Sequence, residues 1–237
     1  MTEGVARPAA GASRGSQGAV VFDLDGVLVD SRAPITSCIN YALARHGLAE
    51  QPEPALLRFI GPPLAVAFAE LTGETPTSPL VASCVSSYRE RYADASLRET
   101  TVVPGITDVL AELTREYRLA VATSKALAFA EPLLAALQLR AFFDVVAGPD
   151  LAARTEDKAT TIATALAALA PARAVMVGDR SFDVIGAHAR GMPAIGVTWG
   201  IGSRQELTAA GADAIADAPA DLPGAVDALL RAQPSAA

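Results

Sequence analysis

Ala19-Val20-Val21-Phe22-Asp23-Leu24-Asp25-Gly26-Val27-Leu28-Val29-Asp30-Ser31 is the stretch on which the reading of this chain turns. An apolar, largely β-branched run enters two aspartates at i and i+2, and a glycine follows at once. The run predicts a buried strand. A carboxylate pair at the mouth of such a strand is costly to desolvate unless a cation or hydrogen bonds compensate. The pattern points to a metal site with one carboxylate left over for chemistry.

Strand-like runs recur outward from this point, at residues 118–122, 143–147, 174–177 and 194–197, with a weaker one at 214–215. Helical patterns lie between them at 106–117, 160–169 and 184–190, and Gly191-Met192-Pro193 stops the last. This alternation predicts an α/β fold, a Rossmann-like parallel sheet with helices on both faces. Ligands of such sheets bind outside the carboxyl ends of the strands. One segment breaks the rhythm. Between Asp30 and about Val102 apolar residues recur at helical spacing in 34–46, 64–71 and 80–92, with no convincing strand. Gly61-Pro62-Pro63 and Thr75-Pro76-Thr77-Ser78-Pro79 separate these helices. Such a length exceeds an ordinary crossover and predicts an inserted all-helical cap domain. The expected division is an arm at 1–17, a core at 18–30 and 103–237, and a cap at 31–102, with Val103-Pro104-Gly105 as the return hinge.

Composition narrows the function classes. The 237 residues are 51% hydrophobic, enough for one large domain or a domain with an insertion. A formal net charge of −7 argues against binding a nucleic acid polymer. No apolar run is long enough to span a membrane. Residues 1–17 are rich in Ala, Gly, Ser and Pro, with Arg7 and Arg14 breaking any apolar run, so a disordered arm is expected rather than a signal peptide. Cys38 and Cys84 lack metal-ligand spacing and are expected to be reduced thiols of a cytoplasmic protein. His46 and His188 sit on helical patterns and read as packing or surface residues. Trp199, just past a strand end, packs a loop or walls the site. Positive charge is nearly all arginine, and the only lysines are Lys125 and Lys158.

The polar residues at the predicted strand ends converge on one site. They are Asp23 and Asp25, then Thr123-Ser124-Lys125, then Gly178-Asp179-Arg180-Ser181-Phe182-Asp183, with Lys158 opening the intervening helix. Hydrolysis of a phosphate monoester is very slow without catalysis, and an aspartyl-phosphate divides it into two easier steps. Asp23 is the expected nucleophile, and Asp25 the group that protonates the leaving oxygen and then activates water. Mg²⁺ takes hard oxygen ligands, which Asp23 and Asp179 can supply. Asp183, at i+4 from Asp179, is expected to join them through a helical turn. Lys158 adds a fixed positive charge, and the Thr123 hydroxyl with nearby N–H groups can hold phosphate oxygens. Taken singly, each motif has a plainer reading as a loop, a cap or a surface lysine.

In these motifs the chain resembles the haloacid dehalogenase-like superfamily of phosphatases. The resemblance runs from about Ala19 to Pro223 and rests on Asp23-Leu24-Asp25-Gly26, Val121-Ala122-Thr123-Ser124-Lys125, Lys158 and Gly178-Asp179-Arg180-Ser181-Phe182-Asp183. It implies a Rossmann-like core, a helical cap and Mg²⁺ bound through Asp23, the Asp25 main-chain carbonyl and Asp179, with Asp183 often acting through water. Gly26, Ser124 and Lys125 would line the phosphate. Arg58-Phe59-Ile60-Gly61-Pro62-Pro63-Leu64 and Val197-Thr198-Trp199-Gly200-Ile201-Gly202-Ser203 look like the phosphoglycolate phosphatase and 5′-nucleotidase branch. Arg58 is the candidate for an anionic substrate group. The usual proline after Thr-Ser-Lys is replaced by Ala126, which puts the start of that helix in question. Asp25 argues against a dehalogenase, and a cap without lysine argues against the phosphonate-cleaving branch. The expectation is a phosphatase acting on a small phosphorylated metabolite, as monomer or homodimer. A sugar-phosphate mutase, a phosphorylation-dependent signalling module and a silent binding protein are the alternatives.

Overall fold

The computed structural model describes residues 18–151 and 157–233; the expected arm at 1–17 lies outside them. In chain order the elements are β1 (Ala19–Phe22), β2 (Val29–Asp30), α1 (Arg32–Arg45), α2 (Glu53–Leu56), α3 (Leu64–Thr72), α4 (Pro79–Glu99), β3 (Thr101–Val102), α5 (Ile106–Leu113) and β4 (Arg118–Ala122). They continue with α6 (Leu127–Ala136), β5 (Val145–Ala147), α7 (Lys158–Leu169), β6 (Ala174–Gly178), α8 (Ser181–His188), β7 (Ala194–Val197), α9 (Arg204–Ala209), β8 (Ala214–Ala216) and α10 (Leu222–Ala232).

Side-chain alternation along β1 explains the layering. Val20 and Phe22 join a cluster with Leu119, Val121, Val175 and Val177, which α5 and α10 cover through Leu110, Leu113, Val226 and Leu230. Ala19 and Val21 join Ala120, Ala122 and Met176 on the other face, covered by Ile162 and Ala165 of α7 and Val184 and Ala187 of α8. With both faces buried, polar side chains are confined to the strand ends. The six-stranded sheet has the order β5-β4-β1-β6-β7-β8, and every pairing is parallel. The chain builds outward from β1 to β4 and β5, then crosses to β6, β7 and β8. The strand order therefore reverses at β1, where a crevice opens at the carboxyl ends.

The inserted segment is an all-helical cap with its own core, in which α1, α3 and α4 bury Cys38, Ile39, Leu43, Phe68, Val81 and Tyr88. Cys38 and Cys84 are buried free thiols there. The stretch between Asp30 and Val102, expected to hold no strand, is closed at its ends by a strand pair: Val29–Asp30 and Thr101–Val102 pair antiparallel where the chain leaves the core and returns. Two residues a side are too few for a periodicity signal. Other boundaries also shift. The strand expected from 143 begins at Val145, after a 3-10 turn at Arg140–Phe142. The helix expected to 117 ends at Leu113. The helix expected at 80–92 runs from Pro79 to Glu99, its start capped by Ser78 Oγ, which accepts from Val81 N–H at 3.2 Å. No described helix is long and apolar enough to cross a membrane.

Candidate active site

Backbone hydrogen bonds set Asp23 at the end of β1, where its N–H donates to Val177 O at 2.9 Å. The chain then tightens: Gly26 N–H donates to Val29 O at 2.8 Å, with Gly26 at φ +85°. Glycine is required here for conformation and for space, because a Cβ at Gly26 would lie 2.3 Å from Asp179 Oδ2. Asp179 follows β6, and its Oδ2 accepts from Ile201 N–H at 2.7 Å in the loop after β7. Trp199 pins that loop to the first motif by donating from Nε1 to Val27 O at 3.2 Å.

The structure brings Asp23, Asp179 and Asp183 together, each offering a carboxylate oxygen within 4.8 Å of the others. The expected route for Asp183 is corrected. Asp179 stands before α8, not within a helical turn, and Asp183 is the third residue of that helix. Its Oδ2 accepts from Arg180 N–H at 3.0 Å, as in a helix-capping bond, and this turns the carboxylate back toward Asp179. A Cβ at Gly178 would fall 2.1 Å from Asp183 Cβ, so that glycine allows the approach.

Lys158, the first residue of α7, meets this triad. Its Nζ lies 2.7 Å from Asp23 Oδ1 and 2.8 Å from Asp183 Oδ1, with its side chain only 5% exposed. A cation at a helix N-terminus opposes the helix dipole, and the two carboxylates compensate. Apart from that ion pair at Asp23, Asp23 Oδ1 and Asp179 Oδ1 are buried oxygens without a hydrogen-bond donor among the described residues. Burial pushes the Asp23 carboxyl up to about 6, with Lys158 pulling down and Asp183 pushing up. Burial, Asp183 and Asp23 together hold Asp179 well above the carboxylate range. For Lys158, burial disfavours the charge, but Asp183 and Asp23 outweigh it and raise the ammonium above its ordinary value. Fully ionised, three carboxylates against one ammonium would leave two negative charges in a buried space, which is why the acids hold their protons without a cation. Orphaned oxygens and that surplus fit a divalent cation with hard oxygen ligands.

Asp25 belongs to a different set of partners. Its Oδ1 accepts from Ser31 Oγ at 2.5 Å and from Lys125 Nζ at 2.7 Å. Lys125 is thus brought to the site, but as the counter-ion of Asp25. Lys125 Nζ also donates to the hydroxyl of Tyr92 on α4 at 2.5 Å. Thr123 is buried after β4, and its Oγ1 accepts from Lys125 N–H at 3.1 Å. It shapes this turn and does not cap α6, which begins at Leu127 behind Ala126 with no side-chain cap. Ser124 is exposed. Arg58 is engaged elsewhere: its guanidinium pairs with Glu70 at 2.5 Å and lies over the Phe59 ring at 4.5 Å, with 63% of the side chain exposed. The expected role in substrate binding is therefore not supported by its position.

Sequence reasoning missed Ser31, Tyr92, Arg180 and Glu206. Ser31 was within the quoted motif, six residues from Asp25, but an i+6 hydrogen bond has no periodic signature. Arg180 donates to Glu206 Oε1 at 3.0 Å and to Ile60 O of the cap at 2.6 Å, bridging the loop of Asp179 to both. His46 and His188 hydrogen-bond Ser87 and Asp213, in line with packing roles.

Comparison with known proteins places this geometry. A family model described as haloacid dehalogenase-like hydrolase matches residues 20–197. The probable phosphatase IndB of Dickeya dadantii is 36% identical over 217 residues, covering 90% of this chain and 94% of that protein. A 5′-nucleotidase of Pseudomonas aeruginosa is 37% identical over 193 residues, covering 80% of this chain and 86% of its own. The crystal structure of a predicted phosphatase from Clostridium acetobutylicum superposes with a TM-score of 0.82 at 34% identity, covering 88% of this chain and 97% of the other. With its sheet, its cap and its strand-end carboxylates, the chain belongs to the haloacid dehalogenase-like hydrolases.

Proposed function

We propose that this protein is a Mg²⁺-dependent phosphatase that hydrolyses a small soluble phosphomonoester, phosphoglycolate-like or nucleoside 5′-monophosphate-like, through an aspartyl-phosphate at Asp23. The observation that carries the proposal is the division of the aspartates. Asp23 stands in a triad with surplus negative charge and orphaned oxygens, while Asp25 is paired one to one with Lys125.

In the first step a carboxylate oxygen of Asp23 attacks phosphorus and the ester P–O bond breaks. Asp25, protonated, delivers its proton to the departing oxygen. In the second step Asp25 takes a proton from water, whose oxygen attacks phosphorus. The bond to Asp23 breaks, giving inorganic phosphate and the free carboxylate. Ser31 and Lys125 both hold Oδ1 of Asp25, so Oδ2 is the oxygen left to exchange the proton. Thr123 Oγ1 already accepts from Lys125 N–H, which leaves its own O–H free to donate to a phosphate oxygen. Lys158 holds Asp23 in place beside Asp183. Asp23, Asp179 and Asp183, with the Asp25 carbonyl, would hold Mg²⁺, whose charge offsets the repulsion between Asp23 and the phosphate.

Residues 31–102 are proposed as the cap that chooses the leaving group. The buried free thiols Cys38 and Cys84 support a reducing, cytoplasmic setting. The test is phosphate release from phosphoglycolate, nucleoside 5′-monophosphates and sugar phosphates with Mg²⁺. Turnover of at least one, lost on chelation, is expected. A folded protein with no turnover across the panel would overturn the reading.

A further inference from the structure

We propose that Tyr92 is a positioning residue for Asp25, acting through Lys125 across the seam between cap and core. The inference rests on the phosphatase reading above and concerns how its proton-transfer group is aimed.

Three observations carry it. First, Lys125 is a junction: its Nζ meets Asp25 Oδ1 at 2.7 Å and the Tyr92 hydroxyl at 2.5 Å, and it lies 5.0 Å from the centre of the Tyr92 ring. Its side chain is 5% exposed, so these contacts replace water as its solvation. Second, the partners come from different units. Asp25 follows β1 and Lys125 follows β4 in the core, whereas Tyr92 lies on α4 of the cap. The hydroxyl reaches Lys125 only with the cap seated on the core. Third, the Tyr92 ring is held independently of its hydroxyl. It stacks on Tyr88 at 5.0 Å between centroids and meets the edge of Phe129, on α6, at 5.5 Å. Packing accounts for the ring but leaves the buried hydroxyl with Lys125 as its partner. An unpaired hydroxyl at such a depth is costly, so the pairing is specific.

The geometry assigns the consequence. With Lys125 drawn to Tyr92, its ammonium and Ser31 both fix Oδ1 of Asp25, which leaves Oδ2 to exchange the proton. Without the cap hydroxyl, Lys125 has one anchor fewer, and Asp25 is held by Ser31 and a looser Lys125.

The test uses leaving groups that differ in their need for a proton. An alkyl phosphate needs protonation to depart, whereas p-nitrophenolate leaves without it. Tyr92→Phe keeps the ring and removes only the hydroxyl. Expected for Tyr92→Phe is a fall of about tenfold in the ratio of the first-step rates, alkyl over p-nitrophenyl, measured as single-turnover phosphorylation with KM little changed. Lys125→Met is expected to shift the ratio in the same direction and further. A proportional fall on both esters, or a change confined to KM, would mean that Tyr92 only packs the cap and would overturn the proposal. An unchanged ratio in Tyr92→Phe would do the same. Loss of all turnover in the wild-type protein would instead count against the phosphatase reading itself, so the two failures are distinguishable.

Discussion

Asp23 and Asp25 are two residues apart in the chain, yet they sit in electrically opposite surroundings. Around Asp23 two further carboxyl groups crowd in and one lysine answers them, so the acids outnumber the base. Around Asp25 one lysine answers one carboxylate, and Ser31 adds a hydrogen bond. The chain's two lysines are shared out, one to each aspartate. On the proposed mechanism, charge balance rather than proximity would separate the nucleophile from the proton carrier. The first set of acids has room for a cation beyond Lys158; the second has one ammonium for one carboxylate.

The comparison breaks most visibly through the aspartates themselves. Asp23→Asn is expected to lower turnover about 10⁵-fold on every ester, since no attacking oxygen remains. Asp25→Asn is expected to lower it about 10²- to 10⁴-fold on alkyl esters, with a smaller loss in the first step on p-nitrophenyl phosphate. Equal losses for both variants on both esters would abolish the distinction. Steady-state and single-turnover phosphate release, with circular dichroism to confirm folding, measure this.

A second effect concerns stability. Lys158→Met removes the sole ammonium from three buried carboxylates and is expected to cost about 3 kcal/mol in chelator, with part recovered on adding Mg²⁺. Lys125→Met leaves one carboxylate and the Tyr92 hydroxyl without their shared partner and is expected to cost about 2 kcal/mol, with no recovery by Mg²⁺. Denaturant unfolding in EDTA and in Mg²⁺ separates the two, and equal costs with equal recovery would refute the charge ledger.

The smallest effect is a pH dependence. The Asp23 carboxyl is raised from 3.8 to about 6 by burial and Asp183, so the folded metal-free protein binds more protons than the unfolded chain between these values. Stability of the metal-free protein is therefore expected to fall as pH rises from about 4 to about 6 through this group, and to be recovered toward acid pH. The difference between wild type and Asp23→Asn in chelator isolates the contribution, and saturating Mg²⁺ flattens it. A rise in stability across that window for the same difference would reverse the sign and contradict the burial argument.

Much of this was legible beforehand. The strand-end polar residues were readable because a sheet buried on both faces confines polar side chains to its ends, and Asp23, Thr123 and Asp179 lie there, with Lys158 at the start of α7. Asp183 was found by spacing, though a helix-start hydrogen bond and not a helical turn brings it in. The partner of Arg58 was not legible, because an exposed arginine next to a Gly-Pro-Pro break carries no signal of it, and Glu70 lies twelve residues on.

Sequence alone established the parallel sheet, the helical insertion and the residue types of the chemistry, because periodicity and strand-end placement are local properties. Tertiary structure decided which lysine serves which aspartate, and that Tyr92 of the cap touches the same lysine as Asp25. These pairings join residues 33 and 100 positions from Lys125. Contacts at such separations depend on how α4 packs against α6 and on the crossing of the chain from β1 to β4, and no local pattern encodes either.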